Sequence, residues 1–361
     1  MFSRVASFWK RNERRLSLIA FVGGFLWDNF MLTEIDRLRD QILILAYLII
    51  AFTCIVLINA HRTRLKKDRS PLRVVPFIEF AMQFALGGLF SIFIVFFSRS
   101  GAVVASLPFL LVLGAFFVAN ELFRKQYERF TFQMSVFFAI LFSYSVLVLP
   151  VILGGIGDGI FILSGCLALV LFWLSLRILR LVAREEVEES KRFLLPIVGI
   201  LLVTFNVLYW SNMIPPIPLS LKDIGVYHSL SRAKSGEYVL GFEKAPWYEF
   251  GEKTASVFHR TGDTPVYVFS SVYAPTRLDT SVVHRWMRFN ESERTWETAS
   301  TISFIVSGGR AAGFRGYSAK ENITAGRWRV NVETPRGQII GRLDFTVVDS
   351  DISPVLSTAT R

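Results

Sequence analysis

Long apolar runs in the first 213 residues constrain the fold more than any other feature of the sequence. Residues 41–60, 130–157 and 193–221 contain no charged side chain. A helix needs about 20 mostly apolar residues to cross a lipid bilayer, and each of these runs is long enough. The whole chain is 52% hydrophobic and only 19% charged, which is too apolar for an ordinary soluble protein of 361 residues. We therefore predict an integral membrane protein.

Seven segments meet the length and polarity expected of spanning helices. They lie at about residues 16–35, 41–60, 74–98, 101–123, 130–152, 159–180 and 193–213. The first segment contains Asp28 and is the least apolar of the seven. It is not a cleavable signal peptide, because Asp28 interrupts the apolar core and no small-residue cleavage site follows.

The distribution of lysine and arginine predicts the orientation of these spans, because basic residues of short loops stay in the cytoplasm. Loops on one side of the predicted bundle hold nineteen basic residues, and loops on the other side hold three. The amino terminus is therefore expected in the cytoplasm, and an odd number of spans places the chain after about Pro215 outside. This asymmetry accounts for most of the net charge of +11, so no nucleic-acid partner is needed. The cytoplasmic basic clusters could contact membrane lipids.

Residues 177–192 mix arginine and glutamate, and this run is predicted to prolong the sixth helix into the cytoplasm. The proline-rich run at residues 214–221 cannot continue the seventh helix, so we predict a stiff linker there. Residues 222–361 then show short alternating segments separated by turn residues. These predict strands at 254–260, 266–273, 281–289, 301–306, 311–318, 327–333 and 338–348, which form an antiparallel, immunoglobulin-like β-sandwich.

Four motifs in the carboxyl-terminal region resemble a bacterial domain-of-unknown-function family numbered 2914. They are His284-Arg285-Trp286, the run from Gly313 to Lys320, Gly326-Arg327-Trp328-Arg329-Val330, and the run from Gly341 to Val347. Phe314 and Tyr317 stand where members of that family often carry tryptophan. The segments Gly23 to Asp28 and Ile35-Asp36-Arg37 look like the membrane half that accompanies this domain in Gram-negative proteins. The resemblance implies an inner-membrane protein with a periplasmic sandwich, and it implies no activity.

Three intramembrane polar residues are candidate functional groups: Asp28, Glu79 and Gln83. An ionised Asp28 inside the hydrocarbon layer would cost about 3 kcal/mol, so it either serves a relay or headgroup site or caps a break in the helix at the outer interface. We favour the cap. Glu79 and Gln83 form one helical stripe with Gly87 and Ser91. That stripe either lines a substrate path or packs against a neighbouring helix, and we favour packing.

Five side chains of the predicted sandwich are candidates for binding a partner: His284, Trp286, Arg288, Arg315 and Tyr317. The first three alternate onto one face of a strand, and the last two share a face of another. Exposed aromatic, histidine and arginine side chains would suit a sugar ring or an anionic glycan. A sandwich tryptophan is more often a core residue, however, and for Trp286 we favour that interpretation.

The sequence contains no motif of a known catalytic or metal site. The two cysteines lie in apolar segments, and the four histidines are scattered, so neither a zinc site nor any other cofactor is expected. Nucleophile-elbow, phosphate-loop and dinucleotide fingerprints are also missing. We therefore predict a non-catalytic inner-membrane protein whose periplasmic sandwich binds an envelope protein or glycan. The alternative is a transporter or membrane-embedded enzyme for a lipid-linked substrate that uses Asp28 and Glu79.

Overall fold

The computed structural model describes residues 37–65, 75–100, 106–122, 130–234, 237–247, 254–276, 278–310 and 312–361. The chain divides into two compact units. The helical unit contains the apolar helices and ends at Ser211, and the β-rich unit contains Asn212–Arg361 with two short segments from the connections between helices.

Six helices occupy the described part of the helical unit: α1 Leu38–Leu65, α2 Val75–Arg99, α3 Leu107–Leu122, α4 Phe130–Leu153, α5 Asp158–Val182 and α6 Arg184–Trp210. Five of them are long and apolar enough to cross a membrane, which suggests a membrane protein. The exception, α3, is apolar over a shorter length, Leu107–Phe116. The first predicted span, with Asp28, lies outside the described residues.

The connection between α5 and α6 corrects one prediction. Residues 177–192 do not prolong a single helix, because the backbone leaves the helical conformation at Ala183, with φ −142° and ψ 52°. The charged run is thus divided between two helices. Glu188 of α6 pairs across the break with Arg180 of α5 at 3.4 Å and also bonds Lys191 on its own helix. These ion pairs therefore stabilise the turn between α5 and α6, in which Ala183 is the one non-helical residue.

Aromatic stacking and polar contacts hold the described helices together. Phe142 of α4 stacks on Phe205 of α6 with ring centroids 4.3 Å apart. Tyr209 of α6 donates a hydrogen bond to Asp158 at the start of α5, at 2.9 Å. The side chain of Asn59 in α1 donates to Gln133 of α4 at 2.8 Å. Many large apolar side chains on α5 and α6 point outward, as expected for helices that face lipid.

Eleven strands occupy the described part of the β-rich unit. Their bounds are β1 Ser220–Tyr227, β2 Ser229–Arg232, β3 Tyr238–Phe242, β4 Val257–Arg260, β5 Val266–Tyr273, β6 Asp279–Asn290, β7 Thr295–Ser307, β8 Phe314–Lys320, β9 Gly326–Glu333, β10 Ile339–Asp349 and β11 Ser357–Thr360.

The strands pair into three sheets. Sheet A has the order β1-β5-β8, sheet B has the order β4-β10-β9-β6-β7, and sheet C has the order β11-β3-β2. All pairs are antiparallel except β4 with β10, which is parallel. Sheets A and B pack face to face around an apolar core that includes Val268, Trp286 and Val330. Sheet C covers the other face of sheet A through Tyr227, Leu240 and Phe269.

This architecture differs in three ways from the two-sheet antiparallel sandwich that we predicted. All seven predicted strands are present, but the prediction missed β1, β2, β3 and β11, which build sheet C and one edge of sheet A. The parallel β4–β10 pair departs from purely antiparallel pairing. The predicted linker is not a free spacer either, because Ile214, Ile217 and Leu219 are buried and Leu219 joins a core cluster of the β-rich unit.

Gly308, which follows β7, gives a direct test of the packing between β7 and the loop after β5. Its N–H donates to the carbonyl of Leu278 at 2.9 Å, and a Cβ atom at this position would overlap the backbone carbonyl of Pro275. We expect Gly308→Ala to lower the free energy of unfolding of the β-rich unit by about 2–3 kcal/mol, because a rigid backbone atom cannot give way.

Pulse proteolysis of the full chain in detergent micelles, across a urea series, measures this loss. The neighbouring exposed Ser307→Ala variant is the control and should stay within about 0.5 kcal/mol of the wild type. Equal urea midpoints for Gly308→Ala and the wild type would contradict the packing described above.

Candidate functional site

A buried polar network crosses the core between sheets A and B. The two ring nitrogens of His284 on β6 lie 2.8 Å from the hydroxyls of Ser270 on β5 and Ser318 on β8. The indole N–H of Trp286 donates to the Ser318 hydroxyl at 3.0 Å. His284 and Trp286 have no exposed surface. Each polar group in this core therefore has a partner, and the partners bring both sheets together.

Burial controls the charge of the His284 imidazole. Loss of hydration lowers the pKa of His284 to about 4, because the apolar core disfavours the protonated ring. At neutral pH the ring is uncharged, so one of its nitrogens donates a hydrogen bond and the other accepts one. A neutral imidazole fits between two hydroxyls that can each donate or accept.

Two of the five predicted binding residues are therefore not at a surface. His284 and Trp286 are fully buried, and neither can stack on a sugar or reach an anion. For Trp286 the structure agrees with the favoured core interpretation. Strand alternation placed both residues correctly on one face of β6, but that face is the inner one. Arg288, near the end of the same strand, is exposed.

Arg315 and Tyr317 lie on the outer face of β8, beside sheet C. The ring of Tyr317 meets the ring of Tyr238 on β3 edge to face, with centroids 5.8 Å apart. The guanidinium of Arg232 on β2 lies 5.9 Å from the Tyr238 centroid. Arg315 is half-buried, and 45% of the Tyr317 side chain is exposed. We call these four residues the tyrosine patch: Arg232, Tyr238, Arg315 and Tyr317.

The tyrosine patch combines two kinds of contact that suit a glycan or an acidic segment. An exposed tyrosine ring offers an apolar face and a hydroxyl, and a guanidinium offers paired N–H donors to a carboxylate. The sequence analysis named Arg315 and Tyr317 as candidates but not Arg232 and Tyr238, because the β2–β3 hairpin was not predicted.

A second polar cluster joins all three sheets. Nε2 of His228, between β1 and β2, lies 2.8 Å from one oxygen of Glu243, and Nδ1 of His259 on β4 lies 2.6 Å from the other. The backbone N–H of His259 also donates to Glu243, at 2.7 Å. Burial alone would raise the pKa of the Glu243 carboxyl, but these hydrogen bonds outweigh it and hold the pKa below its usual range. The carboxylate thus clamps two distant strands.

His228 and His259 are far apart in the sequence, and only the fold brings both of them to the Glu243 carboxylate. Within the described ranges, no group of three histidine, cysteine or acidic side chains is arranged to hold a metal ion. Both oxygens of Glu243 already accept hydrogen bonds, so we interpret the cluster as a structural contact that holds the three sheets together.

Arginine side chains also stack on aromatic rings on the outer face of sheet B. Arg327 lies 3.7 Å from the Phe289 centroid and Arg329 lies 4.1 Å from the Trp296 centroid. Each guanidinium forms a two-bond ion pair, Arg327 with Glu291 and Arg329 with Asp344. Both guanidinium groups are therefore already paired with carboxylates. We call this arrangement of Arg327 and Arg329 the arginine ladder, and we infer that it stabilises sheet B rather than offering donors to a partner.

The intramembrane candidates do not converge on a site within the described residues. Glu79 and Gln83 are partly exposed on α2, whereas Gly87 and Ser91 of the same stripe are buried. Asp28 lies outside the described residues. The buried contact between Asn59 and Gln133 was not anticipated, because the two amides are 74 residues apart in the sequence.

These observations define a class of protein in which apolar helices are followed by a β-rich unit with antiparallel sheets. Residues 279–347, from the start of β6 into β10, match the family described as Protein of unknown function (DUF2914). This match confirms the resemblance of the carboxyl-terminal region, and all four motifs that suggested it lie inside the matched range. The match covers less than half of the chain.

Comparison with curated proteins gives no match. Among solved structures, Pseudomonas fluorescens alkylpurine DNA glycosylase AlkC bound to DNA containing an abasic site analog aligns with 88% of this chain and 99% of that chain. The TM-score is 0.20 and the sequence identity is 9%, values too low for this likeness to indicate a shared fold or function.

The depressed pKa of His284 predicts how the stability of the β-rich unit depends on pH. The unfolded chain protonates His284 near pH 6.5 and the folded chain only near pH 4, so the unfolded state binds more protons between these values. The free energy of unfolding should be highest above pH 6.5 and should fall by about 3 kcal/mol as the pH drops to 4.

Pulse proteolysis of the full chain in detergent between pH 7 and pH 4 measures this loss. His284→Gln can still bond both serines but cannot titrate, so its profile should be flatter by about that amount. Ser270→Ala is the matched control, because it removes one hydrogen bond and keeps the imidazole. Parallel pH profiles for His284→Gln and the wild type would show that His284 is not buried neutral.

Proposed function

We propose that this chain is a multi-pass protein of the bacterial inner membrane that displays its β-rich unit in the periplasm, where the unit binds an envelope partner without catalysis. The membrane unit comprises seven spans over residues 1–213, with the amino terminus in the cytoplasm. The five long apolar helices support this assignment, and so does the count of nineteen basic loop residues against three.

The positions of the described turns fit this orientation. In this orientation the basic end of α1 and the charged turn at Ala183 lie on the cytoplasmic side, and the connection between α4 and α5 lies outside. That outer connection has no lysine or arginine and needs glycine, because Gly154 and Gly157 have positive φ angles of 68° and 128°. The membrane lipids around the cytoplasmic ends would contact the basic residues.

We assign the displayed unit, residues 222–361, to the immunoglobulin-like class of binding modules. Sheets A and B supply its two-layer core, and sheet C adds a third layer to one face. The tyrosine patch carries the functional proposal, because the exposed ring of Tyr317 packs against Tyr238, and the Arg232 guanidinium lies 5.9 Å from that second ring. Its partner is a glycan or an acidic protein segment of the envelope.

A reporter fusion tests the orientation. An enzyme that folds only in the periplasm, fused after Arg361, should be active in whole cells, because an odd number of spans places that end outside. The same enzyme fused after Arg64, at the cytoplasmic end of α1, is the matched control and should be inactive. The reverse pattern would overturn the proposed topology.

Substitutions in the tyrosine patch test the binding proposal. Arg315→Ala combined with Tyr317→Ala should weaken sedimentation of the detergent-solubilised full chain with purified peptidoglycan sacculi by about tenfold or more, because a stacking ring and a charged donor are lost. Arg288→Ala removes an exposed arginine from a different sheet, and it should bind like the wild type.

A photo-reactive amino acid at position 317 distinguishes the two kinds of partner. A glycan partner gives sedimentation with sacculi, and a protein partner gives a cross-linked band in cells without sedimentation. If the patch variant matches the wild type in both assays, the tyrosine patch is not the binding surface.

Complementation of a deletion strain separates this proposal from the transporter alternative. A non-catalytic display protein should tolerate Asp28→Asn with Glu79→Gln and should lose function when residues 222–361 are removed. Loss of function in the charge variant, together with full function of the truncated chain, would support transport or membrane-embedded catalysis instead.

A further inference from the structure

Strand β7 leaves one long edge of sheet B unpaired. Among the described residues it pairs with β6 alone, and sheet B ends at β7. The register shifts between Trp286 and Met287 of β6, which leaves Ala299 of β7 as a bulge. After the bulge, β7 runs without interruption from Ser300 to Ser307. Within the described residues, alternate members of this eight-residue stretch therefore have backbone N–H and C=O groups that point to the free side and pair with no other strand.

The other edges of the described sheets are short or carry charges or a bulge, whereas β7 carries such features, Glu297 and the Ala299 bulge, only in its first part. Natural sheets block unwanted strand pairing with charges, bulges or very short edge strands. The edge strands β2, β4 and β11 have four residues each. The edge strand β1 has a bulge beside Lys222 and Asp223, and β8 carries Arg315 and Lys320.

The residues from Ser300 to Ser307 carry none of these protective features. The stretch reads Ser-Thr-Ile-Ser-Phe-Ile-Val-Ser and contains no charged residue, proline or glycine. The side chains of Thr301, Ser303, Ile305 and Ser307 point outward and are exposed, and Ile305 is 69% exposed. The β-branched residues of this stretch favour the extended strand conformation, so the edge is suited to pairing with another strand.

We propose that β7 is a homodimer interface, in which the Ser300–Ser307 edges of two copies pair antiparallel about a two-fold axis. The pairing would join two five-stranded sheets into one continuous sheet and form about one backbone hydrogen bond for each pair of facing residues. A second copy is the occupant that fits, because residues 301–307 carry no charge that would meet its own image across the two-fold axis. Lys320 of β8 donates to the Ser300 hydroxyl at 3.3 Å, at the end of this stretch. The interface is separate from the tyrosine patch and does not depend on its partner.

The symmetry of this pairing makes a sharp prediction. In an antiparallel pair, residues that face each other belong to the same class, either hydrogen-bonded or non-hydrogen-bonded, and the two classes alternate along the strand. When two identical edges pair, the two-fold axis therefore lies between one residue and the same residue of the other copy. The Cα atoms of that residue lie about 4.5–5.5 Å apart, within the range of a disulfide, whereas the next residue on either side lies about 7–8 Å from its copy.

A single-cysteine scan of the full chain in native membranes tests the prediction. The background is Cys54→Ala with Cys166→Ala, cysteine is placed in turn at positions 300 to 307, and oxidation is followed by non-reducing electrophoresis. We expect one position to give a strong dimer band and the yield to fall on both sides. Thr358→Cys on the exposed, protected edge strand β11 is the matched control and should stay monomeric.

A charge placed on the edge provides a second, independent readout. Ile305→Lys should convert the detergent-solubilised dimer to a monomer in light scattering, because a charge would face the partner strand. Val355→Lys, at a site that is 93% exposed on a loop, should remain dimeric. A monomeric wild type, a scan without a maximum, or a cross-link to a different protein would each overturn the proposal.

Discussion

The need to pair every backbone N–H and C=O that leaves water shapes both units of this protein. Where the sequence is apolar throughout, the pairing is made inside each segment, and the chain forms helices. Where apolar residues alternate with polar ones, the pairing is made between segments, and the chain forms sheets. The same constraint explains the interest of β7, because it is the long strand of the described sheets whose second edge is left without a partner and without protection.

The core of the β-rich unit depends on a polar network as well as on apolar packing. Trp286 and Val268 supply apolar contacts between sheets A and B, but Ser270, His284 and Ser318 must also meet for their polar atoms to be satisfied. A shift of β6 by one residue would turn His284 outward and leave two buried hydroxyls without their ring. The network thus favours a single register of the sheets. Because the His284 ring must be neutral in this network, the stability of that register depends on pH.

The polar groups of the β-rich unit are of two kinds: some pair with other groups of the fold, and others lie on surfaces that we propose bind a partner. The Glu243 clamp and the arginine ladder of sheet B use their charges within the fold. The tyrosine patch keeps an exposed ring beside arginine side chains, and the β7 edge keeps unpaired backbone groups. These two surfaces lie on different sheets, so a display module could bind a partner through one while it pairs with its own copy through the other.

Local pattern was enough to predict the long apolar helices, the seven strands from β4 to β10 and the shared face of His284 and Trp286, because these features depend on residues adjacent in the chain. The sequence could not show that this face of β6 points inward, that Leu219 packs in the core, or that His228 and His259 meet at Glu243. Those outcomes depend on which distant strands pair, and pairing is decided by the free energy of the whole core. The run Ile214-Pro215-Pro216-Ile217-Pro218 shows the difference plainly: proline ends a helix for local reasons, but only tertiary packing decides whether the residues that follow are solvated or buried.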